Sequence, residues 1–258
     1  MTEVHKYVVV GRGRWAPRIK SILAAEDRNV CPLESARRTI HENESAYHER
    51  LATFFRSCGA QIAWLCLPPG EHIPLLMTAA IESGLHVVVE KPWLCTPDQT
   101  ARLEALANSH GARLAIHYEY CLMEAVEAWR RDHNGGTDLL FGGRLNVSRP
   151  DHIGLPALDN LGSHLFSIHE YSVPDSVISE IHCGYNQPDE RRVWLENQSR
   201  QIAEIDLLAN KEPIIQRFIA RVESAIRGAE FPFDLQFGLR VAERTAAWRR
   251  QLQRQEQP

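Results

Sequence analysis

From residue 4 to residue 117, short β-branched runs alternate with longer stretches of helical periodicity. That alternation restricts the region to βαβ units around a parallel sheet. It predicts strands at Val4 to Val10, Asn29 to Leu33, Gln61 to Leu67, His86 to Val89 and Arg113 to His117. Helices are predicted between them, at Trp15 to Ala25, Arg38 to Ser57, Ile73 to Ser83 and Pro97 to Ser109. In the third helix Ile73, Leu76, Met77, Ala80 and Ile81 recur at helical spacing, so that face is predicted to pack on the sheet, and Gly84 supplies the stop.

After residue 120 the pattern changes to a helix at Leu122 to Asp132 and a turn at Asn134 to Gly136. Strands follow at Leu139 to Ser148, Val177 to Cys183, Arg191 to Asn197 and Gln201 to Leu208, with one short helix among them. The close succession of the last three predicts an antiparallel sheet. Helices at Pro213 to Arg227 and Asp234 to Arg254 close the chain. With 258 residues, two modest domains fit: an α/β domain over residues 1–120 and an α+β domain over 121–258.

Composition removes several function classes. The net charge of -4 lacks the basic excess that drives nonspecific nucleic-acid binding, so no nucleic-acid partner is expected. No apolar run approaches the roughly 18 residues of a membrane span, and the start MTEVHKYVVV lacks a signal-peptide pattern, so a cytoplasmic protein is expected. Six cysteines (31, 58, 66, 95, 121 and 183) are scattered without a CxxC pair, which argues against disulfides and a structural zinc site. No metal is expected.

The first motif is Gly11-Arg12-Gly13-Arg14-Trp15-Ala16, a GxGxxA that leaves a predicted strand and opens a predicted helix. The first glycine permits a tight turn, the second lets a pyrophosphate approach the backbone, and the small Ala16 allows close helix packing. The segment Glu34-Ser35-Ala36-Arg37-Arg38 at the end of the second strand carries two signals. Glu34 at the strand tip would bind a ribose hydroxyl and select NAD(H). Ser35 there would leave Arg37 and Arg38 as a clamp for a 2'-phosphate, and NADP(H) is preferred over NAD(H) on that reading. Lysine is rare, with only residues 6, 20, 91 and 211, which draws attention to Lys91 after the fourth strand.

The run Leu65-Cys66-Leu67-Pro68-Pro69-Gly70-Glu71-His72 is followed, at helix-plus-strand distance, by Gly84-Leu85-His86-Val87-Val88-Val89-Glu90-Lys91-Pro92. With the glycine loop, these segments resemble the Gfo/Idh/MocA family, the glucose-fructose oxidoreductase and inositol dehydrogenase type of NAD(P)-dependent oxidoreductase. The resemblance implies a Rossmann domain followed by a mainly antiparallel α+β domain. It implies that Leu67, Pro68, His72, Glu90, Lys91 and Pro92 border the cofactor, and that Pro92 turns the chain, often through a cis peptide. Lys91 would reach the nicotinamide ribose and the substrate oxygen, where a cation stabilises developing alkoxide. His72 is equally compatible with a locally hydrogen-bonded helix start.

Farther on, Ala157-Leu158-Asp159-Asn160-Leu161-Gly162-Ser163-His164-Leu165 resembles the family's ALLDxGxHLxD segment. The resemblance places His164 on the proton-transfer histidine and Asn160 where those enzymes carry aspartate, four residues away on a helical face. Asparagine can orient a group but cannot take a proton; Asp159 is expected to point elsewhere. Ser167 stands where many members have aspartate, and His117-Tyr118-Glu119-Tyr120 where many have Asn-x-Arg. Tyr118 is either a proton donor or a packing residue. The resemblance also implies a substrate-binding second domain and a homo-oligomer through its C-terminal sheet, where Val193, Leu195, Ile202, Ile205 and Leu207 offer apolar side chains to bury.

The expected activity is hydride transfer between NAD(P)(H) and a small carbonyl, alcohol or imine substrate, the last as in the thiazolinyl imine reductases of the superfamily. A catalytically inactive NAD(P)-binding sensor or assembly protein is the alternative, against which the intact Glu90-Lys91-Pro92 speaks. A hydrolase or lyase lacks support, because there is no Gly-x-Ser-x-Gly elbow and no HxxxH spacing.

Overall fold

The computed structural model describes residues 5–33, 36, 41–133, 136–151, 154–198, 200–209 and 212–255. The chain forms two compact units: Met1–His117 with Ile219–Gln236, and Tyr118–Phe218 with Phe237–Pro258. Segment Ile219–Gln236 thus leaves the contiguous 121–258 grouping and joins the first unit. Its attachment there is polar as well as apolar. Glu223 accepts from Tyr7 Oη at 2.9 Å and takes a two-pronged contact from Arg28, at 2.7 and 2.9 Å. The Ile116 amide donates to the Phe233 carbonyl at 2.8 Å.

The first unit is a Rossmann-like layer structure. Strands β1 (Tyr7–Val10), β2 (Val30–Leu33), β3 (Ile62–Leu65), β4 (His86–Glu90) and β5 (Leu114–His117) form one parallel sheet in the order β2-β1-β3-β4-β5. All four residues of β1 and of β3 are buried, as expected for strands covered on both faces. The helices are α1 (Trp15–Ala25), α2 (Glu44–Ser57), α3 (His72–Glu82) and α4 (Pro97–His110). The predicted face of α3 is buried and Gly84 follows it at φ +81°. Helix α2 begins later than its periodicity suggested because the Asn43 side chain caps it, accepting from the Ala46 amide at 2.8 Å. Thr96 and Gln99 form a reciprocal cap on α4, and Gly111 ends it in the left-handed region.

The second unit opens with a 3-10 turn at Glu119–Leu122 and holds α5 (Glu124–His133), α6 (Ala157–Asn160) and α7 (Gly162–Ser172). Its sheet comprises β6 (Leu140–Val147), β7 (Val177–Tyr185), β8 (Glu190–Asn197) and β9 (Arg200–Asp206), ordered β7-β6-β8-β9. The expectation that the last three strands are sequential antiparallel neighbours needs correction. Strand β7 pairs with β6, in parallel, and β6 separates it from β8; the β6–β8 and β8–β9 pairs are antiparallel. The cause is the α6–α7 crossover, which carries the chain over the sheet between β6 and β7. Helices α8 (Ile214–Ile226) and α9 (Leu235–Gln255) complete the chain.

The apolar set expected to drive oligomerisation is also corrected. Val193 and Leu195 are fully buried, and Ile205 and Leu207 are 6% and 4% exposed, so four of the five belong to the protein's own core. Ile202 alone of them is exposed. Alternation along β8 puts Val193 and Leu195 on the helix-covered face and Arg192, Trp194 and Glu196 on the outer one. No described helix is long and apolar enough to cross a membrane.

Candidate active site

Parallel pairing brings the C-terminal ends of β1, β3 and β4 side by side, and strand order reverses at the β1–β3 pair, where an open α/β sheet binds ligands. The pairing extends past β3, because the Cys66 amide donates to the Val10 carbonyl at 2.8 Å. This close approach dictates glycine at residue 11. Its φ is +131°, and a Cβ there would lie 2.3 Å from the Cys66 carbonyl oxygen. Two residues on, a Cβ at Gly13 would meet nothing within 4 Å. Helix α1 then starts at Trp15 with no side-chain cap and no acid in its first turn, while Arg12 and Arg14 are exposed beside it. Ala16 is fully buried and lets the helix sit close to the sheet. Space at Gly13, uncapped amides and flanking cations together suit an anionic diphosphate.

The motif after β4 separates into two jobs. The Glu90 carboxylate is buried rather than turned toward the strand edge, and it accepts from Trp64 Nε1 at 3.2 Å and contacts His117 Nδ1 at 3.0 Å. Trp15 and Trp64 meet the His117 ring edge-on, at centroid distances of 5.8 and 5.0 Å. Lys91 is half-buried and the Lys91-Pro92 bond is cis, so the chain turns immediately after the strand. Burial raises the Cys66 thiol well above its ordinary pKa, the Glu90 charge adds to this, and Cys66 stays protonated.

The other expected contacts fall as follows. Leu67 and Pro68 form the loop after β3, and His72 is half-buried at the start of α3. Burial lowers the His72 pKa from its ordinary value, with the Pro68 backbone opposing the shift. The loops after β3 and β4 enclose a cavity of about 220 Å³ lined by Pro69, Glu71, Ile73, Pro92, Trp93 and Leu94 among others. A larger one, about 370 Å³, lies at the opposite edge of the sheet, where His86 and Arg113 mark the strand starts, away from the glycine loop. Glu34, Ser35, Arg37 and Arg38, on which the expected cofactor preference rests, lie outside the described residues.

In the second unit Asn160 and His164 are both buried, at 6% and 7% exposure. They do not share one unbroken helix: α6 ends at Asn160 and α7 begins at Gly162, with Leu161 between them still in right-handed helical geometry. Asn160 Nδ2 donates to Tyr185 Oη at 2.8 Å, and that hydroxyl donates to the Leu155 carbonyl at 3.3 Å. The His164 ring lies edge-on to Tyr120 at 4.8 Å, and Tyr120 Oη accepts from Arg191 Nη1 at 2.8 Å. Asp159 points away and pairs with Arg249 on α9. Tyr118 is 1% exposed and packs on Phe237 at 5.4 Å. Ser167 is buried and bonds the His164 carbonyl at 2.8 Å. Tyr185 and Arg191 escaped the sequence reading, because only the strand register brings them to this group, and Tyr120, in the 3-10 turn, was quoted there without a role. Among the described residues no cluster of three or more His, Cys, Asp or Glu is arranged to hold a metal ion.

Comparison with known proteins follows the same division. Residues 6–118 match the Gfo/Idh/MocA model, described as an oxidoreductase family with an NAD-binding Rossmann fold. Over 51 residues the chain is 45% identical to the uncharacterized oxidoreductase YdgJ of Escherichia coli (strain K12), a match spanning 20% of this chain and 14% of that protein. Three solved structures share the fold over nearly the whole length. UDP-N-acetylglucosamine 3-dehydrogenase GnnA from Acidithiobacillus ferrooxidans aligns with a TM-score of 0.74 at 14% identity, covering 95% of this chain and 97% of that one. The WlbA dehydrogenase from Bordetella pertussis, solved with NADH and UDP-GlcNAcA, gives 0.68 at 17% identity, covering 96% of each chain. An inositol dehydrogenase homolog from Azotobacter vinelandii, solved with NADH and myo-inositol, gives 0.65 at 14% identity, covering 95% and 94%.

Proposed function

We infer, from the membership of this chain in the Gfo/Idh/MocA oxidoreductase family through residues 6–118, that it transfers a hydride between a nicotinamide dinucleotide and a small carbonyl, alcohol or imine substrate. The observation that carries this reading is the glycine loop at the β1–β3 reversal: Gly11 pressed against Cys66, open space at Gly13, and uncapped α1 amides beside Arg12 and Arg14. The structural relatives solved with NADH and either a sugar nucleotide or myo-inositol support a polyhydroxylated substrate.

When bound, the nicotinamide ring supplies or accepts the hydride. Gly11, Gly13 and the start of α1 hold the diphosphate, and Arg37 and Arg38 favour the 2'-phosphate of NADP(H) over NAD(H). Lys91 is the cation at the reacting oxygen, stabilising alkoxide character as hydride leaves or reaches carbon. In the second unit His164 is the proton-transfer group. Asn160, fixed by Tyr185, orients the substrate hydroxyl and cannot relay a proton. Glu90 acts as a positioning residue through Trp64 and His117, and Tyr118 is a packing residue. Self-association uses the outer surface of the second sheet near the exposed Val177 and Ile202. A monomer at all concentrations in sedimentation would remove that last element.

Titration of the protein with NADH and NADPH tests the reading. NADPH should bind more tightly, and the double change Arg37→Ala, Arg38→Ala should erase the difference. Lys91→Ala should lower turnover about 100- to 1000-fold while a lost ribose contact costs cofactor affinity only about tenfold or less. Cofactor binding without turnover on carbonyl, alcohol and imine panels would turn the protein into a cofactor sensor.

A further inference from the structure

The β6–β8–β9 register places one charge where the pattern asks for an apolar side chain. Residues directly opposite on antiparallel strands share a face. Arg191 on β8 stands opposite Leu145 on β6, and the Leu207 amide donates to the Arg191 carbonyl at 2.7 Å. Leu145 and Leu207 are 2% and 4% exposed, and two residues along β8 Val193 is fully buried. This is the face that α7 covers, since a Cβ at Gly143, opposite Val193, would lie 3.1 Å from the Leu165 side chain. The adjacent Arg192 points to the other face, where Glu190 and Glu204 neutralise it. Among the described residues no carboxylate forms an ion pair with Arg191, its Nε is buried without a protein acceptor, and its one protein hydrogen bond is to Tyr120 Oη.

Tyr120 ties this guanidinium to the proposed proton-transfer group, because the same ring that accepts from Arg191 lies against His164. A partly desolvated guanidinium with unused donors and no counter-charge selects an anion, and its planar fork matches a carboxylate. We propose that Arg191, held by Tyr120 beside His164, is a specificity-determining residue that pairs with a carboxylate on the substrate. The protein would thus act on a hydroxy, oxo or imino acid, including a sugar acid, in preference to the neutral analogue. This inference rests on the reading of His164 given above.

The experiment uses cofactor-loaded full-length protein and matched probes, D-glucuronate against D-glucose and lactate against propane-1,2-diol, with glucose 6-phosphate as the phosphate arm. Binding is read by calorimetry and turnover by cofactor absorbance. In at least one pair the acid should bind about 10- to 100-fold more tightly than its neutral partner. Arg191→Gln should abolish that preference through KM while leaving NADH affinity and melting temperature near parental; Arg191→Lys should retain part of it. The proposal is overturned if no acid is preferred, if the preference survives Arg191→Gln, or if glucose 6-phosphate outcompetes both acids. Failure of the parent to bind either cofactor would instead sink the oxidoreductase reading, and the two failures are read in separate titrations.

Discussion

In the first unit the candidate site is made by backbone, whereas in the second it is made by side chains brought together from separate elements. Gly11 is fixed by the approach of two strands, and the α1 amides are fixed by where that helix starts. His164 and Asn160 instead owe their surroundings to Tyr120, Tyr185 and Arg191, which come from a 3-10 turn and two strands. A backbone site tolerates changes in neighbouring side chains but not an added Cβ. A side-chain site can be retuned one residue at a time, which is how one scaffold serves different substrates.

The sharpest way to break this comparison is a pair of glycine substitutions. Gly11→Ala combines a disfavoured φ with a clash against backbone and should destabilise the first unit by about 4 kcal/mol, abolishing cofactor binding. Gly13→Ala enters open space, so stability should change by less than about 1 kcal/mol, yet cofactor affinity should still fall at least about tenfold because the added methyl occupies the approach to the loop. Urea denaturation and cofactor titration on both variants read the contrast. Equal destabilisation by the two would show that side-chain volume, and not the backbone cradle, is limiting.

The next effect separates the units by their buried polar groups. Glu223→Gln takes away one of the two carboxylates paired with Arg28, Glu26 being the other, together with the acceptor of Tyr7 Oη, and should cost the first unit about 2 to 3 kcal/mol, seen as faster hydrogen exchange in β1 and α1. Burial alone would raise the Glu223 pKa, but the hydrogen bonds from Arg28 and Tyr7 outweigh it and hold the carboxyl below its usual value. Its contribution is therefore complete above the ordinary carboxylate pKa and is lost as pH falls through the depressed folded value.

His169 in the second unit fails earlier on acidification. It is fully buried against Phe141 and contacts the Ser176 carbonyl through Nε2 at 3.1 Å, and burial with the nearby Arg244 charge lowers its pKa from 6.5 to about 4. Between those values the unfolded chain binds the extra proton, so stability falls as pH drops from 6.5 toward 4, by roughly 2 to 3 kcal/mol. His169→Gln, which keeps a donor for Ser176, should flatten exchange in α7 over that window. An unaltered pH dependence would remove His169 as the cause. The smallest effect is Tyr185→Phe, expected to cost about 1 kcal/mol through Asn160 and to raise KM more than it lowers kcat.

The same contrast governs what the sequence made legible. The β1-α1 junction, the Pro68 loop and Lys91-Pro92 could be read because the signals are local: glycine where φ must be positive, proline where the chain turns, β-branched runs between them. Glu90 was assigned to the cofactor on motif alone, and its burial toward Trp64 and His117 depends on strand register 26 and 27 residues away. Arg191 gave no signal, since a charge beside Arg192 in a strand reads as solvated until the register places it between Leu145 and Leu207. The β7–β6 pairing was missed for a related reason: proximity in sequence favours β7 with β8, and the crossover helices overrule it.

Segment Ile219–Gln236, which completes the first unit, also sets an order of events during synthesis. N-terminal domains ordinarily fold as they leave the ribosome. Here the carboxylate that satisfies Tyr7 and Arg28 is synthesised more than one hundred residues after β5, behind almost all of the second unit. Until Glu223 emerges, Tyr7 Oη lacks its carboxylate and Arg28 has Glu26 alone. A fragment cut after residue 120 would stay arrested at that stage, whereas a circular permutant that joins 219–236 directly to the first unit would be released from it.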